Sequence, residues 1–452
     1  MSDTIRDMRA RAIKMHQEGR LSEAAALYAR YLAQVPTDAG AWSNLGVLHR
    51  VAGRHEQALR AQKRAVALAP DDVGLRSNYA NILSDIGRYE QSIAQRTWVL
   101  QREPDNLNHR AMVGRCLRGM GRYQEAIAYL EIASAEYPAD VEMRMQLAFA
   151  QLGAGDYAHA FETYKARWDA GELQPRDLPF PEWQGEPLAG KTVLVMPEQG
   201  FGDAVLFARF VPMLNQLGAR VRCLVERPLQ ALFEGLEGAD WTGPSVPAGA
   251  KIDYWINMMD LAGMHFAKSK DVPAPAKLHV PADSVQRAAR IVAPYDDVLK
   301  VGVIWTGSVT YKGNAFRSFS HTEFLPLTDI AGVQLFSLYK GPMLDPYFAD
   351  GTAGFIVDAG SDERGFADTA ATMQEMDLII TSDTATAHIA GSLGVPTWTV
   401  LHWDPFWVWT HHGDTTPWYP QMRLFRQRTP LVWSGVMSEI KGALELKMKV
   451  AS

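Results

Sequence analysis

The chain has 452 residues, of which 47% are hydrophobic, and its 45 basic and 51 acidic side chains give a net charge of −6. This length allows about three domains. Two cysteines exclude a disulfide framework, the charge balance gives no global field for nucleic acid, and no apolar run approaches the ~18 residues of a membrane span. We therefore expect a multidomain cytoplasmic protein that binds no nucleic acid.

A 34-residue repeat occupies the first third of the chain. Its markers are Gly19, Gly53, Gly87, Gly121 and Gly155, then Pro36, Pro70, Pro104 and Pro138, and five residues after each glycine Ala24, Ala58, Ser92, Ala126 and Ala160. A glycine that ends one helix and a proline that separates two helices are typical of helix-turn-helix units. The pattern resembles the tetratricopeptide repeat and predicts about five units over 1–168. The last unit lacks its proline, so we expect it to pack on the region C-terminal to the repeats.

Stacked repeats form a superhelix whose concave face usually binds a peptide or a protein. In O-linked N-acetylglucosamine transferases an asparagine ladder in this groove holds the acceptor backbone, and Asn44 and Asn78 occupy the equivalent position here. Met112 and Gln146 take that position in the next two units, so the ladder is broken. We expect a protein-binding groove at Asn44 and Asn78, for either a folded protein or an extended peptide. The alternative is a scaffold or an oligomerisation arm.

A proline-rich linker at 169–190 precedes an alternation of buried strands and helices, which predicts two doubly wound α/β halves at 191–293 and 294–452. We expect strands at 192–196, 220–226, 300–305, 333–338, 355–358, 377–381 and finally 397–401. We expect helices at 204–217, 366–375, 386–393 and 433–449, one further helix that ends at Leu232, and another that begins at Phe324. We expect a loop at 306–317. Two such halves around a cleft form the GT-B architecture, so the predicted fold is a helical solenoid followed by a GT-B fold.

The first strand of the α/β region runs into a glycine-rich turn that opens a helix. The turn residues Glu198, Gln199, Gly200 and Gly202 are predicted to line the acceptor side of the cleft, because glycine permits close approach. Asp203 lies at the helix N-terminus, where a carboxylate can deprotonate an acceptor hydroxyl. The alternative is that Asp203 only caps the helix.

A second strand-helix turn, at 382–388, is predicted to bind the diphosphate of a donor. Ser382 or Asp383 can cap the helix, and the free N–H groups beyond them suit an anion. The predicted donor-binding residues here are Asp383, Thr384, Ala385 and Thr386. His388, one turn into the helix, can contact the phosphate or the sugar, or it can be a satisfied core histidine.

The loop after the strand at 300–305 carries further candidates for the donor phosphates. Gly307 and Ser308 can offer backbone donors, and Lys312 and Arg317 supply positive charge. The alternative is a solvated surface loop. The chain contains no Asp-x-Asp, His-Glu-x-x-His or P-loop motif, so we expect no metal ion and no cofactor, with protein groups stabilising the leaving diphosphate.

These stretches resemble bacterial tetratricopeptide-containing glycosyltransferases with a heptosyltransferase-like (family 9) catalytic region, and more distantly O-linked N-acetylglucosamine transferases. The residues that carry the resemblance are Pro181-Glu182-Trp183, the EQGFGD stretch at 198–203, Arg317-Ser318, the stretch at 383–398, Trp418-Tyr419-Pro420 and the stretch at 424–427. The resemblance implies that Asp203 is the base, that His388 with the 383–384 turn is part of the donor site, and that Lys312 binds phosphate.

The resemblance also bears on the substrate. Heptosyltransferases have glycine where this chain has Ala385, which disfavours heptose transfer to lipopolysaccharide. Some relatives with fused repeats modify flagellins. We therefore expect an inverting, metal-independent glycosyltransferase that moves a sugar from a nucleotide sugar to a protein acceptor, with flagellin serine or threonine as a candidate. The alternatives are an enzyme that acts on lipopolysaccharide or another glycan, and a non-catalytic scaffold that binds sugar nucleotides.

Overall fold

The computed structural model describes residues 3–171, 173, 175–198, 200–311 and 313–451. Contacts divide the chain into two units, which we call the solenoid (Met1–Ala154 with Ala166–Glu172) and the α/β unit (Gly155–Lys165 with Leu173–Ser452). The fold class predicted from the sequence is confirmed at this level, since a helical repeat precedes a region of parallel sheets.

Paired helices occupy the repeat region, as the 34-residue period predicts. They are α1 (Asp3–Gln17), α2 (Leu21–Leu32), α3 (Ala39–Val51), α4 (His55–Leu68), α5 (Val73–Asp85), α6 (Tyr89–Leu100), α7 (Leu107–Gly119), α8 (Tyr123–Glu136), α9 (Val141–Ala154) and α10 (Tyr157–Thr163). The five repeated glycines all have positive φ, between 69° and 78°, where a Cβ would be strained. The small residues five positions later are all 0% exposed, so paired helices approach closely there.

At Pro36, Pro70 and Pro104, a side chain six residues later closes the turn between repeats. The Nε1 of Trp42 donates to the carbonyl of Pro36 at 3.0 Å. The Nε atoms of Arg76 and Arg110, one and two periods later, donate to the carbonyls of Pro70 and Pro104 at 2.7 and 2.8 Å. In these three turns, the long side chain ties the proline carbonyl to the start of the next helix.

A four-stranded parallel sheet begins the α/β unit. Its strands are β1 (Thr192–Met196), β2 (Arg220–Leu224), β3 (Trp241–Gly243) and β4 (Tyr254–Asn257), in the order β3-β2-β1-β4. Its helices are α11 (Phe201–Phe207), α12 (Val211–Gln216) and α13 (Asp260–Phe266). The predicted helix at 204–217 is divided by a 3₁₀ turn ahead of Pro212. The predicted helix through Leu232 was wrong: only a 3₁₀ turn forms, and the glycines at 235 and 238 that come after it adopt positive φ.

A six-stranded parallel sheet forms the rest of the unit. Its strands are β5 (Leu299–Ile304), β6 (Val333–Ser337), β7 (Ile356–Asp358), β8 (Leu378–Ser382), β9 (Thr397–Leu401) and β10 (Met422–Arg426), in the order β10-β9-β8-β5-β6-β7. Its helices are α14 (Ala282–Val292), α15 (Asn314–Arg317), α16 (Leu344–Ala349), α17 (Phe366–Gln374), α18 (Ala385–Leu393) and α19 (Ser434–Ala451). Renumbered from β5, this order is 3-2-1-4-5-6, that of a doubly wound nucleotide-binding sheet.

Three predictions for the second sheet were wrong. The strand at 397–401 does not end the sheet, because β10 pairs beside it. The predicted loop at 306–317 contains the short helix α15. The predicted helix from Phe324 is a 3₁₀ helix, His321–Leu327, and it contains Pro326, which cannot donate an α-helical hydrogen bond.

The second helix of the last repeat belongs to the core of the α/β unit. Tyr157 and Phe161 of α10 pack with Phe266, Trp407 and Trp418. The indole Nε1 of Trp418 donates to the Tyr157 hydroxyl at 2.9 Å. This agrees with the expectation that the last repeat packs on the region C-terminal to it.

Candidate functional site

Both sheets bring the predicted motifs to the point where strand order reverses. Next to β1 lie β2 and β4, and next to β5 lie β6 and β8. Helices that leave adjacent strands in opposite directions open a crevice at the carboxyl ends of those strands, which is where ligands bind in such sheets. The turn after β1 and the turns after β5 and β8 are the segments that the sequence analysis selected.

The turn after β1 positions Asp203 by a backbone hydrogen bond. Gly200 is the N-cap residue of α11, and its N–H donates to Oδ2 of Asp203 at 3.1 Å. Asp203 therefore does cap the helix, as the alternative interpretation proposed, although capping does not preclude a second role. Glu198 is buried beside this turn, and Gln199 lies outside the described residues.

The surroundings of Asp203 favour its protonated form. Burial raises the pKa of Asp203 to about 6, against the opposing effect of the hydrogen bond from Gly200. The nearby carboxylates of Asp383 and Glu198 contribute to the rise, because like charges resist a further negative charge. A carboxyl with a pKa near 6 can exchange a proton close to neutral pH.

The turn after β8 begins α18 without a capping side chain. We predicted that Ser382 or Asp383 would cap this helix, and this was wrong: the N-cap residue is Thr384, in extended conformation, and no described side chain accepts from the first turn. The Thr384 hydroxyl instead lies 2.6 Å from that of Thr386, which in turn lies 2.9 Å from that of Thr381. No described side chain uses the first-turn N–H groups of α18, including that of Ala385.

His388 is buried behind this turn and is neutral. Burial lowers the pKa of His388 to about 3, and the positive charges of Arg209 and Arg317 act in the same direction. The imidazole stacks on Trp409, with 5.2 Å between ring centres, and its Nδ1 lies 3.1 Å from the Tyr419 hydroxyl. His388 is thus an uncharged group with one nitrogen already engaged.

The loop after β5 contacts the turn after β8. A Cβ built on Gly307 would lie 2.7 Å from Cγ2 of Thr384 and 3.2 Å from Nη2 of Arg317. Gly307 is therefore needed for the close approach of the two segments. Its N–H was predicted to serve a ligand, but it donates to Oδ1 of the buried Asn314 at 3.2 Å, because α15 brings that side chain back over the loop.

The remaining predicted residues of this loop differ in their surroundings. The guanidinium of Arg317 lies 4.5 Å from the centre of the Tyr311 ring and forms no ion pair with a described carboxylate, so its charge is available to an anion. Ser308 is exposed, and its hydroxyl lies 2.8 Å from that of Thr310. Lys312 lies outside the described residues.

The first turns of α11 and α18 touch, which joins the two sheets at one site. A Cβ on Gly202 would lie 3.0 Å from Cδ2 of His388 and 3.2 Å from Cα of Ala385. The helix that carries Asp203 thus meets the helix that carries His388 directly. This brings the catalytic and donor-binding candidates together from segments about 180 residues apart.

The sequence analysis missed three side chains of this site. Asn314 ties the β5 loop together by accepting from Gly307 and donating to the Thr306 hydroxyl at 3.0 Å. Arg209 and Tyr419 lie behind His388. Asn314 and Arg209 stand in no recognisable motif, whereas Tyr419 lies in a stretch that carries the family resemblance.

In the solenoid, Asn44 and Asn78 use their amide donors internally. Nδ2 of Asn44 donates to the Tyr28 hydroxyl, and Nδ2 of Asn78 donates to the Ser43 hydroxyl, both at 3.0 Å. An asparagine that reads a peptide backbone needs its donor and its acceptor together. Each amide has two N–H donors, and one of them is already used inside the solenoid.

Metal sites and membrane spans are not found in the described part of the chain. Within those ranges, no three His, Cys, Asp or Glu side chains are grouped as metal ligands would be. Of the helices in the same ranges, none combines the length and the apolar character needed to cross a bilayer.

Comparison with known proteins identifies the repeat region. Residues 24–144 match the family profile of the cytochrome c-type biogenesis protein H TPR domain. The chain is 28% identical to Protein FlbA of Caulobacter vibrioides, over 67% of this chain and 54% of that protein. The chain therefore spans about half the length of this curated relative. The N-terminal region is a tetratricopeptide-type domain.

Solved structures match similar fractions of the chain. A MamA 41-end chain from Desulfovibrio magneticus RS-1 is 16% identical, with a TM-score of 0.36, and the match covers 38% of this chain and 99% of that chain. A tetratricopeptide repeat protein from Parabacteroides merdae ATCC 43184 is 16% identical, with a TM-score of 0.35, over 39% of this chain and 69% of that chain.

Proposed function

We propose that the α/β unit is a glycosyltransferase of GT-B architecture. It transfers a sugar from a nucleotide sugar to a protein acceptor, with inversion and without a metal ion. The observation that carries the proposal is the contact of Gly202 with His388 and Ala385. It sets a carboxyl of raised pKa beside an uncapped helix N-terminus, and an inverting displacement needs a base on one side of the sugar and support for the leaving group on the other.

Asp203 is the base in this proposal. A base works best when its pKa lies near the working pH, because it is then deprotonated and still accepts a proton readily. A pKa of about 6 meets this requirement better than the ordinary value of an aspartate. The turn residues Glu198, Gly200 and Gly202 are proposed to line the acceptor side of the site, and Gln199 remains a sequence-based candidate for it.

The N-terminus of α18 and the β5 loop hold the donor diphosphate. The first-turn N–H groups of α18 carry the positive end of the helix dipole, and no described side chain uses them. Arg317 adds a cation beside Thr384, and His388 supplies an uncharged polar group. Asp383, Thr386 and Ser308 are further members of the proposed donor-binding set, and Lys312 remains a sequence-based candidate for it.

The tetratricopeptide domain recruits the acceptor. Because Asn44 and Asn78 each use one amide donor inside the solenoid, and the next two equivalent positions are Met112 and Gln146, recognition of a folded surface is favoured over threading of an extended backbone. We propose a protein acceptor with serine or threonine hydroxyls, and flagellin is the candidate that the family resemblance suggests.

Calorimetry of the full-length protein with nucleoside diphosphates, followed by the corresponding nucleotide sugars, tests the donor site. We expect one nucleotide to bind with and without EDTA, and to bind more weakly to Arg317→Gln. Absence of binding by every common nucleoside diphosphate would contradict the proposal. Transfer of labelled sugar from the binding donor to purified flagellin, compared with a free glycan acceptor, then tests the acceptor class.

A further inference from the structure

Two buried side chains stand behind His388, and the mechanism above does not use them. The Tyr419 hydroxyl lies 3.1 Å from Nδ1 of His388. The guanidinium carbon of Arg209 lies 4.8 Å from the centre of the Tyr419 ring. All three residues are at most 5% exposed, so no bulk water competes for these contacts.

Backbone carbonyls hold Arg209 in place. Its Nε donates to Leu206 at 2.9 Å, and its Nη1 donates to Trp418 at 2.9 Å and to Pro273 at 3.1 Å. Among the described residues its Nη2 has no hydrogen-bond partner, and no carboxylate forms an ion pair with it. A buried cation without a counter-ion in the described part of the chain therefore stands at a fixed position against Tyr419.

This cation decides which way the Tyr419 hydroxyl points. Burial raises the pKa of Tyr419, so the phenol keeps its proton. The Arg209 guanidinium and the Ser392 hydroxyl both interact with the Tyr419 oxygen. A positive charge attracts the oxygen end of the hydroxyl dipole and repels its hydrogen, so the O–H turns away from Arg209, and Nδ1 of His388 is the acceptor within reach. A neutral imidazole that accepts at Nδ1 carries its proton on Nε2.

The Nε2 side of the ring lies next to the first turn of α11. Cδ2, the ring atom bonded to Nε2, is the atom that a Cβ on Gly202 would meet at 3.0 Å. The Nε2–H group therefore lies at the junction of α11 and α18, where a ligand oxygen can accept from it.

We propose that Tyr419, oriented by Arg209, holds His388 as the tautomer with its proton on Nε2. His388 then donates a hydrogen bond into the cleft and does not act as a base there. Tyr419 and Arg209 are positioning residues. That the acceptor of this bond is a donor phosphate or sugar oxygen rests on the proposed function, whereas the tautomer itself does not.

Nitrogen-15 NMR of the ligand-free, full-length protein tests the tautomer directly. With labelled histidine, His388→Gln identifies the His388 signals among the 12 histidines. We expect a protonated Nε2 and an unprotonated Nδ1 at pH 7. A proton on Nδ1 would overturn the proposal.

Tyr419→Phe then tests the role of the hydroxyl. Phenylalanine keeps the ring that stacks on Trp409 and lies beside Arg209, so the fold is retained. We expect His388 to become a mixture of tautomers. Tyr347→Phe is the matched control, because it removes another buried tyrosine hydroxyl, bonded to the carbonyl of Ile356. An unchanged His388 tautomer in Tyr419→Phe would remove Tyr419 from the proposal.

Charge replacement separates the role of Arg209 from simple packing. Arg209→Lys keeps the charge and should keep the Nε2–H tautomer, whereas Arg209→Gln should give a mixture. If folded Arg209→Gln keeps the wild-type tautomer, Arg209 does not orient Tyr419. If Arg209→Gln does not fold, loss of the Nε2–H tautomer in folded Arg209→Lys would contradict the charge argument, and its retention would support it.

Kinetics connect the tautomer to the proposed reaction. With the donor that calorimetry identifies, Tyr419→Phe should lower kcat by about ten- to a hundredfold, as does loss of other groups that orient an imidazole, with little change in KM. A normal kcat with a mixed tautomer would overturn the catalytic use of Nε2–H. If no nucleotide binds while the NMR result holds, the proposed function fails and the tautomer assignment stands.

Discussion

Helices α11 and α18 begin at the same edge of the α/β unit, but their first turns are satisfied differently. In α11 the Asp203 carboxylate accepts from the Gly200 N–H. In α18, whose N-cap residue is Thr384, no described side chain caps the helix. The same strand-turn-helix geometry thus produces one helix end whose N-cap N–H is bonded to a carboxylate and one without a side-chain cap.

The charges around the two helix ends reinforce this difference. Glu198 and Asp383 act on Asp203 and raise its pKa. On the other side, Gly307 brings Arg317 against Thr384. Parallel sheets thus supply equivalent helix ends, and a few side chains decide the charge and the hydrogen bonding at each end.

Removing the carboxylate of Asp203, in the first turn of α11, should give the largest effect on sugar transfer. Asp203→Asn keeps an oxygen that can accept from Gly200 but cannot take a proton, so we expect transfer to fall by about 10²–10⁴ with donor affinity unchanged. Single-turnover transfer at saturating donor measures this. Asp72→Asn changes a capping carboxylate of the solenoid and should transfer normally. Near-normal transfer by folded Asp203→Asn would leave Asp203 as a cap only.

The carboxyl of Asp203 should also set the pH dependence of kcat/KM. Only deprotonated Asp203 is a base, so kcat/KM should rise with pH through about 6 and then level off. His388, with a pKa of about 3, should add no limb above pH 5. A pH profile of the wild type, with Asp203→Asn as the variant that lacks the limb, checks this. A limb that persists in Asp203→Asn belongs to another group.

Removing the cation on the α18 side should weaken donor binding. Arg317→Gln should reduce nucleotide affinity by about ten- to a hundredfold, because a hydrogen bond to a charged group contributes about 1.5–3 kcal/mol. Arg423→Gln is a matched control, since its guanidinium also lies against an aromatic ring, 4.6 Å from the centre of Phe425. Equal calorimetric affinities for the two variants would show that Arg317 does not contact the nucleotide.

Moving the N-termini of α11 and α18 apart should weaken sugar transfer and donor binding mildly. A Cβ on Gly202 meets Ala385 backbone at 3.2 Å, so Gly202→Ala must shift the helices by a few tenths of an ångström. We expect transfer to fall about tenfold with the melting temperature little changed. Gly354→Ala, which meets no atom within 4 Å, is the control. If both variants behave as the wild type, the contact does not position the site.

Glu363 tests whether a raised pKa alone marks function. Burial raises the pKa of Glu363 to about 8, and the Thr369 hydroxyl donates to its Oε2 at 2.5 Å. Folding favours the protonated form, so its stabilising contribution is full below about 4.5 and is lost as pH rises through about 8. Glu363→Gln should therefore raise the free energy of unfolding at pH 8.5 by several kcal/mol and change it little at pH 4.5.

Urea unfolding at the two pH values measures this difference, with transfer as the second readout. Normal transfer by Glu363→Gln would place Glu363 outside the site. A loss of transfer as large as that of Asp203→Asn would show that Asp203 is not the only carboxyl of raised pKa that transfer requires. A pH-independent change in stability would contradict the titration argument.

The sequence by itself determined the features that depend on local chain geometry. The repeated glycines end helices with positive φ, and the small residues after them are buried, because both requirements act within one helix pair. Strand β1 and the turns after β5 and β8 were also predictable, since a buried strand that runs into a glycine-rich or threonine-rich helix start is a local pattern. The short strands β3, β4 and β10 were missed because pairing with neighbours, and not local pattern, defines them.

Only the tertiary structure decided how the site is assembled. The Arg209 side chain donates to the carbonyl of Trp418, 209 residues later, and His388 meets Tyr419, 31 residues later. Residue types alone do not predict that α18 lacks a capping side chain or that the Gly307 N–H donates to Asn314. Both depend on where a side chain points after folding. The sequence named Asp203 and His388, but burial and the charges of distant segments set the pKa of each, and these exist only in the folded chain.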